Sequence, residues 1–370
     1  MLTRSLEIYR NKKVLITGNT GFKGSWISHW LLQLHAEISG YALDPPTEPS
    51  LFRQLELNKN MNHKSRDIRD FETLKKFIGE VRPEIIFHMA AQPLVRESYI
   101  TPLETMHTNI LGTANLLEAV RQLNLPAIVI VITSDKSYEN KEWLFGYREN
   151  DPMGGYDPYS ASKGAAELVT ASWRRSFFNP SDYERHGVKI ASVRAGNVIG
   201  GGDWAKDRIV PDCIRFLQNN EVIKVRNPLA TRPWQHVLEP VGGYLLLGAE
   251  LMKCKTEDVP VLCSGFNFGP LISSNKNVRT LVTEIIRCWG KGEWTYNKED
   301  AMHEASLLNL TIDKAYHLLH WHPVWDFEKT ITNTVLWYKE SSASPARLRD
   351  ITSSQIKEYS NDFRFSNITE

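Results

Sequence analysis

A glycine-rich loop near the N-terminus constrains the fold of this chain more than any other feature. Gly18, Gly21 and Gly24 lie in the run TGNTGFKG, between a short apolar, strand-like segment and a segment with helical periodicity. Glycine allows a tight turn, a close approach of the backbone to a ligand, and close packing of the helix on the strand. The N–H groups and the positive end of the helix dipole then favour phosphate. The loop therefore predicts a dinucleotide-binding strand–loop–helix unit.

An acidic residue completes this prediction. Asp44 ends the next predicted strand, 20 residues after Gly24. A carboxylate at that place accepts hydrogen bonds from ribose hydroxyls and repels a 2′-phosphate, which favours NAD over NADP. The spacing is GxxGxxG rather than GxGxxG, and the alternative is a glycine-rich turn without a ligand. We assign to the cofactor, besides Asp44, the loop residues Gly18, Asn19, Thr20, Gly21, Phe22, Lys23 and Gly24.

The periodicity of the first half predicts the fold class. Apolar strand-like runs alternate with segments of helical period, which indicates βαβ units and a parallel sheet. The run AIVIVIT at residues 127–133 suits a central strand that is covered on both faces. We predict an α/β, Rossmann-like doubly wound parallel sheet with a smaller α+β lobe. The predicted strands are residues 13–18, 38–43, 84–89, 127–133 and 189–193, and the predicted helices include residues 23–35, 103–123 and 240–252.

The chain of 370 residues is too long for one minimal core. We predict that residues 1–193 and about 236–270 form the dinucleotide-binding domain. The second lobe then comprises about 194–235 and 271–345. Residues 346–370 are polar and are expected to form a tail or a peripheral helix.

Composition excludes several classes of protein. Lys plus Arg is 44 and Asp plus Glu is 43, a net charge of +1, which argues against nucleic acid or a membrane surface as a partner. No stretch of 18 apolar residues occurs. The cysteines contain no CxxC pair, so we predict reduced thiols, no metal site and a soluble, cytoplasmic protein.

Further residues at predicted strand ends suit the same cofactor. Asp67 and Ile68 follow a predicted strand end and are placed at the adenine edge. The small residues of HMAAQ, residues 88–92, would let the cofactor lie against the backbone, whereas His88 is interpreted as a core histidine. We assign to the cofactor from these segments Asp67, Ile68, Ala90, Ala91 and Thr133.

Tyr159 and Lys163 suggest redox chemistry. They are spaced as YxxxK at the start of a predicted helix, so both lie on one face. An ammonium group near a phenol lowers the pKa of the phenol, which then removes a hydroxyl proton while hydride leaves the same carbon. Ser134, Asp135 and Lys136 follow the strand 127–133, and strand carboxyl ends are where such sheets bind ligands. The alternative for Asp135 and Lys136 is an exposed ion pair in a turn.

Together these residues resemble the extended short-chain dehydrogenase/reductase family, and within it the nucleotide-sugar 4,6-dehydratases of the branch that acts on CDP-glucose. The resemblance covers roughly residues 8–340. The dTDP-sugar enzymes carry Thr-Asp-Glu where this chain has Ser-Asp-Lys, which is typical of the CDP-sugar branch. The matching stretches are TGNTGFKGSW, SDKSYEN, GYRENDPMGGYDPYSASKG, RAGNVIGGGDWAKDRIVPD and TRPWQHVLEP.

This resemblance implies roles for individual residues. Tyr159, assisted by Ser134 and Lys163, would take the proton of the hydroxyl on sugar carbon 4. Asp135 would be the acid for loss of water, and Lys136 the base at carbon 5. NAD would be the cofactor, and the second lobe would bind the nucleotide sugar. Asn109 is implied at the cofactor and active-site region, and the implied substrate contacts are Gln92, Asn197, Arg208 and Arg232.

The resemblance also implies a CDP-glucose substrate and a homodimer or homotetramer, assembled through helices near 103–120 and 160–177. Two rival functions stay open. A nucleotide-sugar 4-epimerase uses the same loop and the same tyrosine and lysine, but it needs neither Asp135 nor Lys136. A dinucleotide-sensing protein of the same fold would need no catalytic pair, and this chain retains Tyr159 and Lys163.

Overall fold

Parallel strands organise the protein, whose structure is a computed structural model that describes residues 5–296 and 307–366. The strands are β1 (Lys13–Thr17), β2 (Glu37–Ala42), β3 (Asn62–Ser65), β4 (Ile85–His88), β5 (Ile128–Ile132), β6 (Lys189–Arg194), β7 (Val198–Ile199), β8 (Ile223–Val225), β9 (Thr231–Pro233), β10 (Gln235–His236), β11 (Gly265–Asn267), β12 (Asn275–Asn277) and β13 (Trp294–Tyr296).

Helices follow most of these strands. They are α1 (Phe22–Gln33), α2 (Leu51–Gln54), α3 (Phe71–Val81), α4 (Val95–Ile100), α5 (Pro102–Met106), α6 (Gly112–Gln122), α7 (Pro158–Ser176), α8 (Tyr183–His186), α9 (Ile209–Gln218), α10 (Leu238–Lys253), α11 (Val259–Leu262), α12 (Val278–Trp289), α13 (Asp313–Leu319), α14 (Phe327–Ala343) and α15 (Leu348–Ser366). A π-helical turn, His107–Leu111, separates α5 from α6, so the helix predicted over 103–123 is interrupted.

Seven strands form one parallel sheet in the order β11-β6-β5-β4-β1-β2-β3. Alternate residues of β5 enter different apolar clusters: Ile128 and Ile130 belong to one, Val129 and Val131 to the other. Each face of the sheet is therefore covered, which explains the uninterrupted apolar run of this strand. The predicted Rossmann-like doubly wound sheet is confirmed.

The strand order also fixes where a ligand can bind. The chain moves from β1 to β2 and β3 on one side, then returns to β4, β5 and β6 on the other. A crevice opens where the winding reverses, at the carboxyl ends of β1 and β4. Gly18 follows β1, and Ser134 comes two residues after β5, so the loops singled out in the sequence lie along this edge.

Three small strand pairs accompany the main sheet. β7 pairs with β10 and β8 with β13 in parallel, whereas β9 pairs with β12 antiparallel. Several of these strands, with α12 and α13, fall in the segments assigned to the second lobe. The division into two domains at those boundaries stays a prediction.

The segment after residue 345 is largely helical. α15 begins at Leu348, and its residues Tyr359 and Phe363 are buried in the main core. The Tyr359 hydroxyl donates to Glu239 at 2.9 Å, and Trp337 Nε1 donates to Thr352 at 3.0 Å. The polar composition of this segment reflects the outer face of a docked helix, so residues 348–366 take the second of the two forms expected, a peripheral helix.

The four cysteines, Cys213, Cys254, Cys263 and Cys288, are free thiols. Within residues 5–296 and 307–366, none of the helices combines the length and the apolar character needed to cross a membrane.

Candidate active site

The three glycines of the first loop differ in whether the surrounding packing leaves room for a side chain. Gly18 has a left-handed φ of +74°, and a Cβ there would lie 2.6 Å from the Ala90 nitrogen. A Cβ on Gly24 would lie 2.2 Å from the Gly18 carbonyl oxygen. Packing within the protein therefore requires both. A Cβ on Gly21 would meet nothing closer than 3.4 Å, so the packing around it tolerates a side chain.

Helix α1 begins at Phe22, within the same loop, and no side chain of the described residues caps it. The N–H groups of its first turn and the dipole suit a phosphate. Together with the small Gly21, which lets a ligand approach the backbone, this arrangement fits the pyrophosphate of a dinucleotide. Asp44 is exposed after β2 and accepts a hydrogen bond from Ser65 at 2.8 Å, and its predicted role at the ribose stays a prediction.

Other loop side chains are engaged within the protein. The Thr20 hydroxyl donates to the Leu43 carbonyl at 2.9 Å. Asn19 is buried against the sheet, where its Nδ2 is 3.1 Å from His63 Nδ1. Asn19 and Thr20 can therefore serve the predicted cofactor through their backbones, whereas their side chains hold the loop to β2 and β3.

Ser134 lies at the centre of the predicted catalytic residues. It caps the short 3₁₀ helix Asp135–Ser137, and its Oγ accepts the Lys136 N–H at 3.2 Å. The same hydroxyl donates to Asp135 Oδ1 at 3.0 Å. Tyr159 lies on the first turn of α7, and Ser134 acts to lower the pKa of its phenol. The structure thus brings three of the predicted catalytic residues together.

The charges of Tyr159 and Lys163 differ from the sequence-based expectation. Burial raises the pKa of Tyr159 to about 12, although Ser134 and Arg208 oppose that rise. Burial, with the charge of Lys23 nearby, lowers the pKa of Lys163 to about 7. We expected Lys163 to lower the pKa of the phenol, but loss of hydration acts more strongly on both groups. Tyr159 therefore holds its proton firmly.

Asp135 is buried with one oxygen unengaged. The residue is 2% exposed, and no group in the described part of the chain bonds its Oδ2. A Cβ on Gly196 would lie 1.7 Å from this oxygen, so the glycine leaves room for the carboxylate in its present position. A buried carboxylate oxygen without a partner is costly. It is available to a hydroxyl group of a ligand.

Lys23 belongs to this cluster as well as to the loop. It interacts electrostatically with Arg208, Asp135 and Asp203, and burial lowers its pKa to about 8. Arg208 in turn donates to Asp203 Oδ2 at 2.8 Å. Asp203 was missed in the sequence, where its only signal was its place in GGGDWAKDRIVPD, five residues before Arg208.

A buried ion pair below the cluster was also missed. Arg194 and Glu167 are each 5% exposed and form two hydrogen bonds of 3.0 Å. Ser192 and Thr133 donate to the same carboxylate. Glu167 lies one helical turn after Lys163 and interacts with it electrostatically, and this i, i+4 spacing was the available signal.

Asn109 connects the loop after β4 with α7. It lies in the π-helical turn; its Oδ1 accepts the Gln92 N–H at 2.8 Å, and its Nδ2 donates to Ser162 at 2.8 Å. The Gln92 side chain donates to Thr105 and to a carbonyl in its own loop. Gln92, predicted to contact substrate, is therefore held by the protein itself. His88 is buried between Thr17 and Thr113, as expected of a core histidine.

Other predicted cofactor residues have partners within the protein. The Thr133 hydroxyl donates to Glu167 and to a sheet carbonyl rather than remaining available to a cofactor. The Asp67 carboxylate is held by Arg69, and Ile68 is buried. Ala90 and Ala91 are half-buried just after β4, at the ligand-binding edge.

The predicted substrate residues Asn197 and Arg232 lie in the neighbouring small strands. Asn197 has a left-handed φ of +51° immediately before β7. Arg232 is in β9, with Nη1 donating to the Thr231 carbonyl at 2.8 Å. Lys136 is half-buried beside Asp135. The roles assigned to these three residues stay predictions.

Comparisons with known proteins bear on this site. The GDP-mannose 4,6 dehydratase family model matches residues 15–334. A CDP-glucose 4,6-dehydratase of Salmonella typhimurium is 53% identical over 334 residues, which is 90% of this chain and 92% of that protein.

Solved structures show the same fold. The epimerase Mth375 of Methanothermobacter thermautotrophicus superposes with a TM-score of 0.77 at 22% identity, covering 94% of this chain and 98% of that one. A dTDP-glucose 4,6-dehydratase of Bacillus anthracis, in complex with NAD, gives 0.73 at 20% identity, covering 89% and 97%.

These two structures include an epimerase and a dehydratase, so the fold alone does not separate the two activities. The family match covers most of the chain, and the Salmonella relative matches nearly end to end. The chain belongs to the GDP-mannose 4,6-dehydratase family.

Proposed function

We propose that this protein is a CDP-glucose 4,6-dehydratase, which converts CDP-D-glucose into CDP-4-dehydro-6-deoxy-D-glucose and water. The observation that carries the proposal is the buried cluster of Tyr159, Ser134 and Asp135, in which Ser134 donates to Asp135 at 3.0 Å and acts on the pKa of Tyr159. It supplies both a hydroxyl that can take part in oxidation and a buried acid for elimination. The 53% identical Salmonella enzyme supports the nucleotide, since its name specifies CDP-glucose.

The cofactor of this proposal is NAD. The phosphate-binding start of α1 and the exposed Asp44 support it, as does the NAD in the related Bacillus anthracis complex. When bound, NAD accepts a hydride from sugar carbon 4 and returns it to carbon 6. The protein's own residues must manage the protons and hold the sugar.

Three proton movements are assigned to side chains. Tyr159, in its deprotonated form, receives the proton of the carbon 4 hydroxyl. Asp135 gives a proton to the carbon 6 hydroxyl, which leaves as water. Lys136, as the neutral amine, takes the proton from carbon 5, which the new ketone has made acidic, and returns it there.

The role of Lys136 is tested by Lys136→Met. We expect oxidation at carbon 4 to remain within about tenfold of wild type, while elimination falls by about 100-fold or more because the carbon 5 base is missing. Reduced cofactor, followed at 340 nm, then accumulates after substrate is added. Normal turnover of the variant would contradict the assignment.

Arg208 is proposed to bind the substrate diphosphate. A guanidinium group is always charged and can bond two oxygens at once. Asp203 holds this side chain through its Oδ2, and the exposed third of Arg208 is available for a ligand. Arg232 and Asn197 are proposed as further substrate contacts.

Assembly into a homodimer or homotetramer is part of the proposal. Large apolar side chains are exposed in and beside the helices expected to form the interface, including Ile100, Leu103 and Leu168. Burying them in a second copy would remove apolar area from water. Light scattering after gel filtration measures the mass, and a 42 kDa species at micromolar concentration would contradict the dimer.

The decisive experiment gives the purified protein CDP-D-glucose and follows the alkaline absorbance of a 4-ketosugar, with dTDP-glucose in parallel. Ketosugar from CDP-glucose alone is the expected result. Conversion of a nucleotide sugar into its carbon 4 epimer, without loss of water, would favour the epimerase. An epimerase would not need Asp135 or Lys136. Binding of NAD without turnover of either sugar would contradict the dehydratase function.

A further inference from the structure

The two residues assigned to elimination share one short element. Asp135 and Lys136 lie in the 3₁₀ helix Asp135–Ser137, just beyond β5. At its start, Ser134 Oγ accepts the Lys136 N–H at 3.2 Å, and the Ser137 hydroxyl donates to the Ser134 carbonyl at 2.7 Å. These two bonds close the short helix on itself. They therefore set its shape but do not fix it relative to the sheet.

Tyr138, the residue after this 3₁₀ helix, connects it to the sheet. Tyr138 is 1% exposed. Its hydroxyl donates to Asn267 Oδ1 at 2.8 Å and accepts a hydrogen bond from Arg194 Nη1 at 2.5 Å. Arg194 ends β6 and Asn267 ends β11, and these two strands are neighbours in the main sheet. The phenol thus ties the 3₁₀ helix to the carboxyl ends of two strands.

The partners of the phenol are themselves held in place. Arg194 is fixed by its two hydrogen bonds to Glu167, and Asn267 Nδ2 donates to the Tyr147 carbonyl at 2.9 Å. The Tyr138 ring packs on the same groups: the guanidinium carbon of Arg194 lies 4.9 Å from the ring centroid, and the Tyr147 ring is stacked at 5.1 Å. Buried hydrogen bonds and close packing together make this a rigid anchor.

The 3₁₀ helix also touches the helix that carries the oxidation residues. A Cβ on Gly164, the residue after Lys163 in α7, would lie 3.0 Å from the Ser137 carbonyl oxygen. That oxygen accepts the Gly154 N–H at 2.9 Å. Because the two elements meet without being joined in sequence, a shift of the 3₁₀ helix would change the distance between the elimination residues and a sugar bound at α7.

We propose that Tyr138 is a positioning residue that holds Asp135 and Lys136 in register with the sugar for elimination. The inference rests on the proposed dehydratase function. Elimination needs the acid at the carbon 6 hydroxyl and the base at carbon 5 at the same time, and a displacement of about 1 Å can cost about 100-fold in rate. Oxidation depends on Tyr159 and Lys163, which α7 holds, so it depends less on the Tyr138 anchor.

The first test uses Tyr138→Phe, which keeps the packed ring and removes the hydroxyl. The full-length enzyme with NAD and CDP-glucose is followed through a single turnover by the absorbance of reduced cofactor. This signal rises with oxidation at carbon 4 and falls when hydride returns to carbon 6 after elimination. We expect the rise to stay within about threefold of wild type and the fall to slow by about 10- to 100-fold. Equal slowing of both phases, or of neither, would overturn the proposal.

The matched control is Tyr9→Phe. The Tyr9 hydroxyl is also buried and donates to the Leu245 carbonyl at 2.7 Å, but Tyr9 precedes β1, whereas the site lies at the carboxyl ends of the strands. Its loss should lower stability by a similar amount and leave the ratio of the two phases unchanged. The same change of ratio in both variants would show that lost stability, and not positioning, is the cause. Asn267→Ala should reproduce the effect of Tyr138→Phe, and the double variant should add little to it.

The second test needs no substrate. The backbone N–H groups of residues 136–139 all bond within or beside the 3₁₀ helix. Their hydrogen exchange, measured by mass spectrometry, should be about 10-fold faster in Tyr138→Phe and unchanged in Tyr9→Phe. Unchanged exchange in Tyr138→Phe would overturn the anchor. The two proposals can fail separately, because wild type that forms neither reduced cofactor nor ketosugar would overturn the dehydratase function, while the exchange rates still decide whether Tyr138 holds the 3₁₀ helix.

Discussion

The buried pair of Glu167 and Arg194 allows a stability prediction with a defined magnitude. Both side chains are 5% exposed, and the carboxylate accepts two hydrogen bonds from Arg194, one from Ser192 and one from Thr133. Glu167→Gln preserves the shape but removes the negative charge. It also replaces one acceptor oxygen by an NH₂ group that faces donors.

Removing one partner of a buried ion pair leaves the other charge uncompensated, which costs about 3–5 kcal/mol. The unfolding entropy near 60 °C is about 2.1 cal/mol/K per residue, or about 0.8 kcal/mol/K for 370 residues. We therefore expect Glu167→Gln to lower the melting temperature by about 4–6 °C. The measurement is calorimetry at one fixed protein concentration, because assembly would make the midpoint depend on concentration.

The control is Glu250→Gln, which breaks the half-exposed pair with Lys253 on α10 and should cost less than about 1 kcal/mol. A second variant removes both buried charges, Glu167→Met with Arg194→Met. It should be more stable than Glu167→Gln if the uncompensated arginine is the cause. A loss below about 1 kcal/mol in Glu167→Gln, or a double variant less stable than that single one, would refute the reasoning.

Two further predictions concern the cofactor loop and the pH dependence of stability. Gly24→Ala places a Cβ 2.2 Å from the Gly18 carbonyl oxygen, so it should both destabilise the protein and weaken NAD binding. Gly21→Ala meets no contact below 3.4 Å, so it should weaken NAD binding with little change in melting temperature. Thermal melts combined with NAD titrations distinguish the two variants. Burial raises the pKa of Glu239 to about 8. The native protein therefore holds a proton that the unfolded chain has lost above about pH 4.5. For this reason the free energy of unfolding should fall as the pH rises from about 4.5 to 8. Urea unfolding at pH 6 and pH 8 should show a smaller fall in Glu239→Gln, and an equal fall in both proteins would contradict this origin.

The parallel sheet could be predicted because its signal is local. Strand β5 is an unbroken run of β-branched residues, and each of the strands β1 to β4 is followed by a helix. The small strand pairs had no such signal. β9 pairs with β12 across some 40 residues of chain, and Tyr147 forms a bridge with Leu310. Strands of three residues that meet at such separations do not show a periodicity of their own.

The candidate site was predicted well where one motif contained its residues. Ser134 with Asp135, and Tyr159 with Lys163, are neighbours in sequence and remain so in space. Asp203 and Lys23 are different, because only the fold brings the α1 loop beside the segment after β7. Position within a binding loop suggested that Lys23 serves the cofactor, whereas the structure adds electrostatic interactions with Asp135 and Arg208.

Protonation is the property that the sequence predicted least well, for a physical reason. The YxxxK spacing implies that an ammonium group acts on a phenol, but it does not show how deeply the two groups are buried. Burial disfavours both charged forms, so it raises the pKa of Tyr159 and lowers that of Lys163. The protonation of this pair is therefore decided by the burial that the fold imposes rather than by the spacing of the motif.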